Sequence, residues 1–575
     1  MSFTGRAAPG ARRLARATAA AAALVLAAAC SSSGNDDLIG PGSNVPTGLS
    51  VTATSATTVR ISFAAVNGAT SYIVERAPGT TGGTFAQVGT TTTPSFDDSG
   101  LNPGQTYQYR VAAVVNGGAS GFSAPFSVTV LQTGRGRATI SSDITGSRRL
   151  YADTVYTLQG FIKVGNGATL TIDPGTRIEG DYNTLGSSLF ILRGARINAV
   201  GTPENPIVFT SSRAAGERQP GDWGGLVIVG NGVINRGNPV ILEGTGTGAN
   251  NPQVNYAGGT DNADNSGELR YVRVEFAGYA TAPDAELNSF TFAAVGSATR
   301  LSYLQAVSGL DDHFEFFGGA ADATHLVSYE SGDDHYDLSE GYVGRMQYLI
   351  GLQSRVLIPR TGAGNVSQDP QGIENDGCAG ANCNNGQNST PLTIPLMANF
   401  TLVGTGAGTG VDATTGGIGM MLRRGTGGYY VNGIVARWPR AAVSLRDQPT
   451  LDRAAAGDLL LRNILFAQNG TLFQAASGTT VQGTVDAATN ALEQSTATAA
   501  SLFAAFPAAI GSTTTVAAFD WAPAAGSPAA AGGLTTFPAA VAAKAGTAFP
   551  ATPFRGAANP SGPKWWAGWT IYALD

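Results

Sequence analysis

Two stretches, "LDDHFEFFGG" (310–319) and "GDDHYDLSEG" (332–341), repeat one order of carboxylates and imidazole 22 positions apart. Asp311, Asp312, His313, Phe314 and Glu315 recur as Asp333, Asp334, His335, Tyr336 and Asp337. All 3 histidines of the chain, His313, His325 and His335, fall inside this window, which also holds nine acidic residues and no Lys or Arg. Residues two apart in a strand share a face. Alternation therefore puts Asp311, His313 and Glu315 on one side and Phe314 and Phe316 on the other. The second copy repeats the split, with Asp333, His335 and Asp337 polar and Tyr336 and Leu338 apolar. On adjacent strands ~4.8 Å apart, Asp311 stacks on Asp333, His313 on His335 and Glu315 on Asp337. Asp312 and Asp334 are expected at the turn, pointing inward or sideways.

Such a grid resists assembly. Two like charges ~4 Å apart repel by about 4 kcal/mol at an effective dielectric of 20. Raised carboxyl pKa values, imidazolium partners or a bound cation must offset that. Three site chemistries follow. A 6- to 8-oxygen Ca²⁺ shell could draw on Asp311, Asp312, Glu315, Asp333, Asp334 and Asp337. Two histidines beside carboxylates suit a first-row transition metal. A catalytic carboxylate pair with a histidine would use Asp312, Asp333, Asp334 and His335, and the grid contains both the ~5–5.5 Å and the ~6.5–9.5 Å spacings of glycosidases. Acidity that only keeps the surface soluble is the plain alternative. The positions 22 residues to either side are Ser289 and Arg355, so the grid is expected to span two coils only. His325, in "THLVSYE", lies on the strand between the copies, either on another face or beside the site.

What positions these residues must be mostly β-structure. Gly is 78 of 575 and charged residues are only 13%, a composition that suits short strands joined by tight turns. The net charge is −6, and Lys occurs only at Lys163, Lys544 and Lys564, which argues against a nucleic-acid partner. From 46 to 132, alternating runs such as "TVRISFAAV", "SYIVERA" and "QTYQYRVAAVV" have an antiparallel sandwich rhythm. From 138 to 450, short strands broken by Gly, Asn and Asp come at irregular intervals. A three-faced coil takes about 20–25 residues, and the 22-residue recurrence matches one. The expected fold class is all-β: a β-sandwich, then a right-handed parallel β-helix, then terminal coils and a partly helical cap over 451–575.

Both regions resemble known families. "LNPGQTYQYRVAAV", with Leu101, Tyr107 and Tyr109, resembles a fibronectin type III domain, Tyr107 standing at the tyrosine corner. Phe63 in "VRISF" stands where that family usually has tryptophan. Such modules act as spacers or weak binders. "ATLTIDPGTRIEG", "GDWGGLVIVGNG", "GDDHYDLSEGYVGRMQY", "QGIENDG" and "MLRRGTGGYYVNGIV" resemble exported bacterial β-helix proteins of pectate-lyase-like fold. Polygalacturonase-like relatives of this fold place paired aspartates and a histidine on stacked coils, which implies a polysaccharide-cleaving use of the acidic block. Their Asn-Thr-Asp and Arg-x-Lys strands are missing here. Arg423 and Arg424 in "MLRRG" could serve lyase chemistry if they project into the same groove; otherwise they pair with acids such as Glu374 and Asp376. A Gly-x-Ser-x-Gly elbow is absent, and "EGTGTGAN" lacks the Gly-Lys-Ser/Thr of a phosphate loop.

The ends carry their own signals. Arg6, Arg12, Arg13 and Arg16 precede "ATAAAAALVLAAAC", which ends at Cys30. This resembles a bacterial lipoprotein signal over 1–29, with Cys30 acylated and 30–45 a tether. Ser31, rather than Asp, implies the outer membrane. Cys378 and Cys383 in a polar Gly- and Asn-rich loop read as a local disulfide, because no further zinc ligands stand nearby. Alanine-rich "DAATNALEQSTATAASLFAAF" reads as helices of a cap over the open solenoid end. "GSPAAAGG" (526–533) resembles a terminal coil, and Trp565, Trp566 and Trp569 are expected to seal that end.

Together these features describe a surface lipoprotein whose β-helix presents an acidic, His-containing groove for a divalent cation, Ca²⁺ first, and through it an extracellular glycan. A glycoside hydrolase or lyase using the same block is the enzymatic alternative. A structural adhesin without a specific site is the third.

Overall fold

The computed structural model describes residues 44–130, 136–283, 285–367, 370–406, 417–477, 481–511 and 513–572. Cys30, the segment 1–29 and most of the tether lie outside the described residues. The chain divides into two compact units, Met1–Leu131 and Gln132–Asp575.

The first unit is a sandwich of two antiparallel sheets. Strands Ser50–Ser55, Thr58–Ser62 and Ser95–Ser99 make one, and Ala86–Thr91, Ala69–Pro78, Thr106–Val115 and Phe126–Thr129 make the other. Alternation decides what each strand buries: Val59 and Ile61 are in the core, while Arg60 between them reaches Asp97 on the surface. Phe63 meets Tyr72 edge-on at 4.7 Å. The Tyr107 hydroxyl accepts from the Asn102 N–H at 3.4 Å, which forms the tyrosine corner.

The second unit is a parallel solenoid. Each middle coil gives one strand to a nine-stranded sheet and a longer, bent strand to a 17-stranded sheet. Left-handed residues make the bend. Tyr271, Tyr303, His325, Tyr348, Asn399 and Asn432 all have φ between 50° and 66°, and the ladder skips Tyr271 and Tyr303 between its two halves. A residue with φ near +55° turns the chain sharply without an extra loop. That corner folds one sheet into two faces, and the nine-stranded sheet closes the third.

The interior is stacked in columns. Phe290, Phe314 and Tyr336 lie one above another with centroids 5.1 and 5.4 Å apart, and Phe292 lies 4.6 Å from Phe316. Such ring pairs each contribute about 0.5–1.5 kcal/mol beyond the area they bury.

The alanine-rich tail behaves differently from expectation. In "DAATNALEQSTATAASLFAAF" the helix is only Ala499–Leu502, flanked by strand Glu493–Ser495, which extends the 17-stranded sheet, and by strand Phe503–Ala505. The longer helices are Gln448–Ala456 and Ala539–Ala545. Trp566 and Trp569 do not seal an end. They join Trp521, Leu502 and Phe519 in an apolar layer against Tyr271, Tyr329, Ile350, Val403 and Ile434, residues of successive coils. Ala529 of the 526–533 segment packs into the same layer. The last coil instead meets Leu472, Phe473, Val485 and Ala487. The flank needs covering because its outward-facing residues are themselves apolar, which a coil-by-coil sequence reading does not reveal.

Candidate metal-binding groove

The two acidic copies are neighbours in register. Strand Phe314–Phe317 pairs with Tyr336–Ser339 in parallel, Glu315 opposite Asp337 and Phe316 opposite Leu338. The next strand, Gln371–Asp376, sets Glu374 opposite Asp337, and Ile418–Arg423 sets Arg423 opposite Asp376. Hence the acidic column does not stop after two coils. An insertion lengthens the following coil, so the 22-residue step that pointed to Arg355 misses Glu374.

Strand alternation begins only at Phe314 and Tyr336, and this overturns part of the expected grid. Residues 310–313 and 332–335 are bends and irregular backbone ahead of the strands. In them Asp311 and Asp312, and likewise Asp333 and Asp334, all line the groove. The histidines turn inward instead. Asp312 Oδ1 accepts from the Asp334 N–H at 2.8 Å, and Asp334 Oδ1 accepts from the Gln371 N–H at 2.6 Å. Each bend is thus tied to the next coil.

His313 and His335 are both buried and bridged by Ser328. The Gly309 N–H donates to His313 Nε2 at 3.0 Å, so that nitrogen carries no proton. His313 Nδ1–H then donates to Ser328 Oγ at 2.7 Å, and the hydroxyl donates to His335 Nδ1 at 2.5 Å. Burial holds both rings neutral: it lowers His335 to about 3 and His313 well below its usual value, with His335 adding to the latter. His335 meets Trp438 edge-to-face at 6.2 Å. Neither histidine lines the groove. The expected transition-metal shell therefore loses its imidazoles, and His335 loses its place as a catalytic base. His325 sits at the left-handed corner of the other sheet, stacked 4.4 Å from Tyr303 and tilted against Tyr348 at 4.9 Å. Burial lowers it to about 4. It belongs to an aromatic ladder, not to the site.

The groove has a volume of about 980 Å³ and is lined by eleven carboxylates and three arginines. Sequence reasoning missed Glu243, Glu286, Glu340, Ser339 and Arg236, all of which line it. Glu340 stood in the quoted copy. Glu243 and Glu286 carry no spacing signal, because they come from insertions between coils. Glu340 pairs with Arg236 and accepts from the Tyr256 hydroxyl at 2.5 Å. Arg423 pairs with Glu374 and, at 2.8 Å, with Asp376; Arg424 also pairs with Asp376. Both arginines do project into the groove, and both are held by acids there. Burial resists charging Arg423, but Asp376 and Glu374 outweigh it and keep the guanidinium charged, which removes it as a base. Cys378 and Cys383 form the disulfide, and Ala379 and Gly380 between them line the groove.

The carboxylates repel one another in the groove. Burial first, then neighbouring acids, pushes Asp311, Asp312, Glu315, Asp334 and Asp337 well above the usual carboxylate range. Glu374 is raised to about 8 by burial and then by Asp376, against the pull of Arg423. Three triads bring one oxygen from each member within 4.8 Å: Asp311, Asp312 and Asp333; Asp312, Glu315 and Asp337; Asp334, Asp337 and Glu374. Oxygens at that separation can share one cation at 2.3–2.6 Å. The acidic clusters could hold a metal ion.

A family model described as a pectate-lyase-like β-helix domain matches residues 140–523, and one described as a fibronectin type III domain matches residues 44–129. The chain is 40% identical over 105 residues to a poly(3-hydroxybutyrate) depolymerase of Ralstonia pickettii, a match covering 18% of this chain. It spans 20% of the length of that curated relative. Among solved structures, it is similar to an Fn3-like protein from Clostridium thermocellum at 36% identity, covering 14% of this chain and 86% of that one with a TM-score of 0.14. A human fibronectin type III domain matches at 24% identity, covering 18% and 92%, with a TM-score of 0.16.

Proposed function

Given that the chain belongs to the pectate-lyase-like β-helix domain family, we propose that its groove binds divalent cations, Ca²⁺ first, and through them an anionic glycan. The observation that carries this reading is the set of three carboxylate triads within 4.8 Å on stacked coils. Their donors are all hard oxygens, since the histidines point into the core, and oxygen-only sets favour Ca²⁺, Mg²⁺ or Mn²⁺ over softer metals. Burial and mutual repulsion make the fully charged groove unfavourable without a counter-ion. An ion seated there would leave coordination positions for the carboxylates of an acidic polymer, and Arg424, at the groove's other end, adds a positive contact. A lipid anchor at Cys30 in the outer membrane is part of the same proposal; loss of membrane association in Cys30→Ala would support it, and unchanged association would defeat it.

The test begins with metal analysis and native mass spectrometry of the purified chain, followed by melting with Ca²⁺ or with chelator. Bound Ca²⁺ and a higher melting temperature are expected. No bound metal and no shift would end the reading. Retention on immobilised acidic polysaccharide should require Ca²⁺ and weaken at least tenfold in Asp337→Asn.

One observation favours an enzymatic second reading. Glu374, raised to about 8, would be protonated near neutrality and stands within 4.8 Å of Asp334 and Asp337. That supports a general acid beside a carboxylate, with Asp312, Asp333 and Asp334 still available and His335 not. Product formation from acidic polysaccharides, abolished by Glu374→Gln, tests it. The depolymerase match covers only 20% of that relative, so it lends this reading no support.

A further inference from the structure

Each neighbouring pair of triads shares a residue, the second and third sharing Asp337. Asp312 belongs both to the group with Asp311 and Asp333 and to the group with Glu315 and Asp337. We propose, resting on the cation-binding reading above, that the groove holds a pair of divalent ions bridged by the Asp312 carboxylate, and that the third triad holds none.

Four features support a pair at that position. Asp312 is fixed before any ion arrives, because its Oδ1 accepts from the Asp334 backbone N–H at 2.8 Å. Glu315 is likewise oriented by a hydrogen bond from Asn288 Nδ2 to its Oε2. Pre-orientation of this kind is what supporting hydrogen bonds give metal ligands. The third triad differs because Arg423 already pairs with its Glu374, so a positive charge resides there. Charge decides between one ion and two. The five carboxylates Asp311, Asp312, Glu315, Asp333 and Asp337 leave −3 with one divalent ion and −1 with two.

An independent sign of a missing partner lies beside the second triad. Ser339 follows Asp337 by two residues on the same strand face and lines the groove. It is only 7% exposed, yet its Oγ has no hydrogen-bond partner among the described residues. Asp337 Oδ1 is also buried without one. A buried hydroxyl or carboxylate oxygen left unpaired costs free energy, and a cation or its water shell would engage both. Bridged ions lie about 3.5–4 Å apart, close enough to be detected as a pair.

Native mass spectrometry of the full chain titrated with Ca²⁺ should show two ions per chain. Mn²⁺ loaded in their place should give an electron paramagnetic resonance spectrum broadened by a coupled pair, rather than the six lines of an isolated ion. Asp312→Asn keeps an oxygen to accept from the Asp334 N–H, so the bend is retained. It should lower Ca²⁺ affinity at both positions at least tenfold and abolish the coupled spectrum. One ion per chain, two ions without coupling, or two coupled ions in Asp312→Asn would overturn the pair while leaving the cation-binding reading intact. No ion at all would defeat both.

Discussion

Glu374 and Ser328 show how single groups set the behaviour of this region. Glu374 is raised in the folded chain from its ordinary 4.5 to about 8, so between those values the folded state binds more protons than the unfolded one. Stability contributed by this group is therefore present below pH 4.5 and lost as pH rises to about 8. The neighbouring aspartates shift in the same direction. In chelator, the melting temperature of the β-helix should fall from pH 5 to pH 8, and Ca²⁺ should recover most of the loss at pH 8. A melting temperature that rose over that range in chelator would contradict the repulsion. Ser328 links two buried histidines. Ser328→Ala leaves a buried donor on His313 and a buried acceptor on His335, at about 1–3 kcal/mol each. Denaturant unfolding should reveal that loss while the Ca²⁺ content stays unchanged, as expected for histidines outside the groove.

Among the elements, the strands Phe314–Phe317 and Tyr336–Ser339 carry the interior columns and the groove on opposite faces. Phe316→Ala opens a cavity between Phe292 and Tyr342 and should cost about 3–5 kcal/mol, read from chemical denaturation. The left-handed corner makes a different demand. At His325, with φ of 59°, asparagine has precedent in Asn399 and Asn432 at the same corner of later coils. A β-branched residue there is strained by about 1–3 kcal/mol. Thermal melting should therefore rank His325→Asn above His325→Val, even though both lose the stack on Tyr303. This corner was not legible in the sequence, because tyrosine, histidine and asparagine occupy it without a shared motif.

At the scale of the molecule, the sandwich and the solenoid are separate compact units, and the acidic groove belongs to the solenoid alone. Calorimetry should resolve two transitions, of which only the solenoid's moves with Ca²⁺. The C-terminal strap covers the flank opposite in chemistry to the groove, an apolar layer of Trp521, Trp566 and Trp569. It is latched by the Tyr572 hydroxyl on buried Glu330. Removing residues 497–575 would bare the solenoid residues beneath it, Tyr271, Tyr329, Ile350, Val403 and Ile434, and light scattering should report association of the truncated chain.

The sequence by itself determined the strand-rich class, the sandwich followed by the coil and the adjacency of the two acidic copies. The disulfide pair was legible too. Local alternation and a one-coil repeat are encoded over a few residues at a time, and 22 positions happened to equal one turn of the solenoid. Tertiary structure alone decided which way the bend residues face. It sent His313 and His335 inward, brought Asp312 and Asp334 outward, and added Glu243, Glu286 and Arg236 from distant insertions. It also laid the tryptophans along a flank instead of an end. The reason is physical: alternation governs a side chain only once its strand has begun, and coil insertions of unequal length erase any fixed spacing between residues that end up stacked.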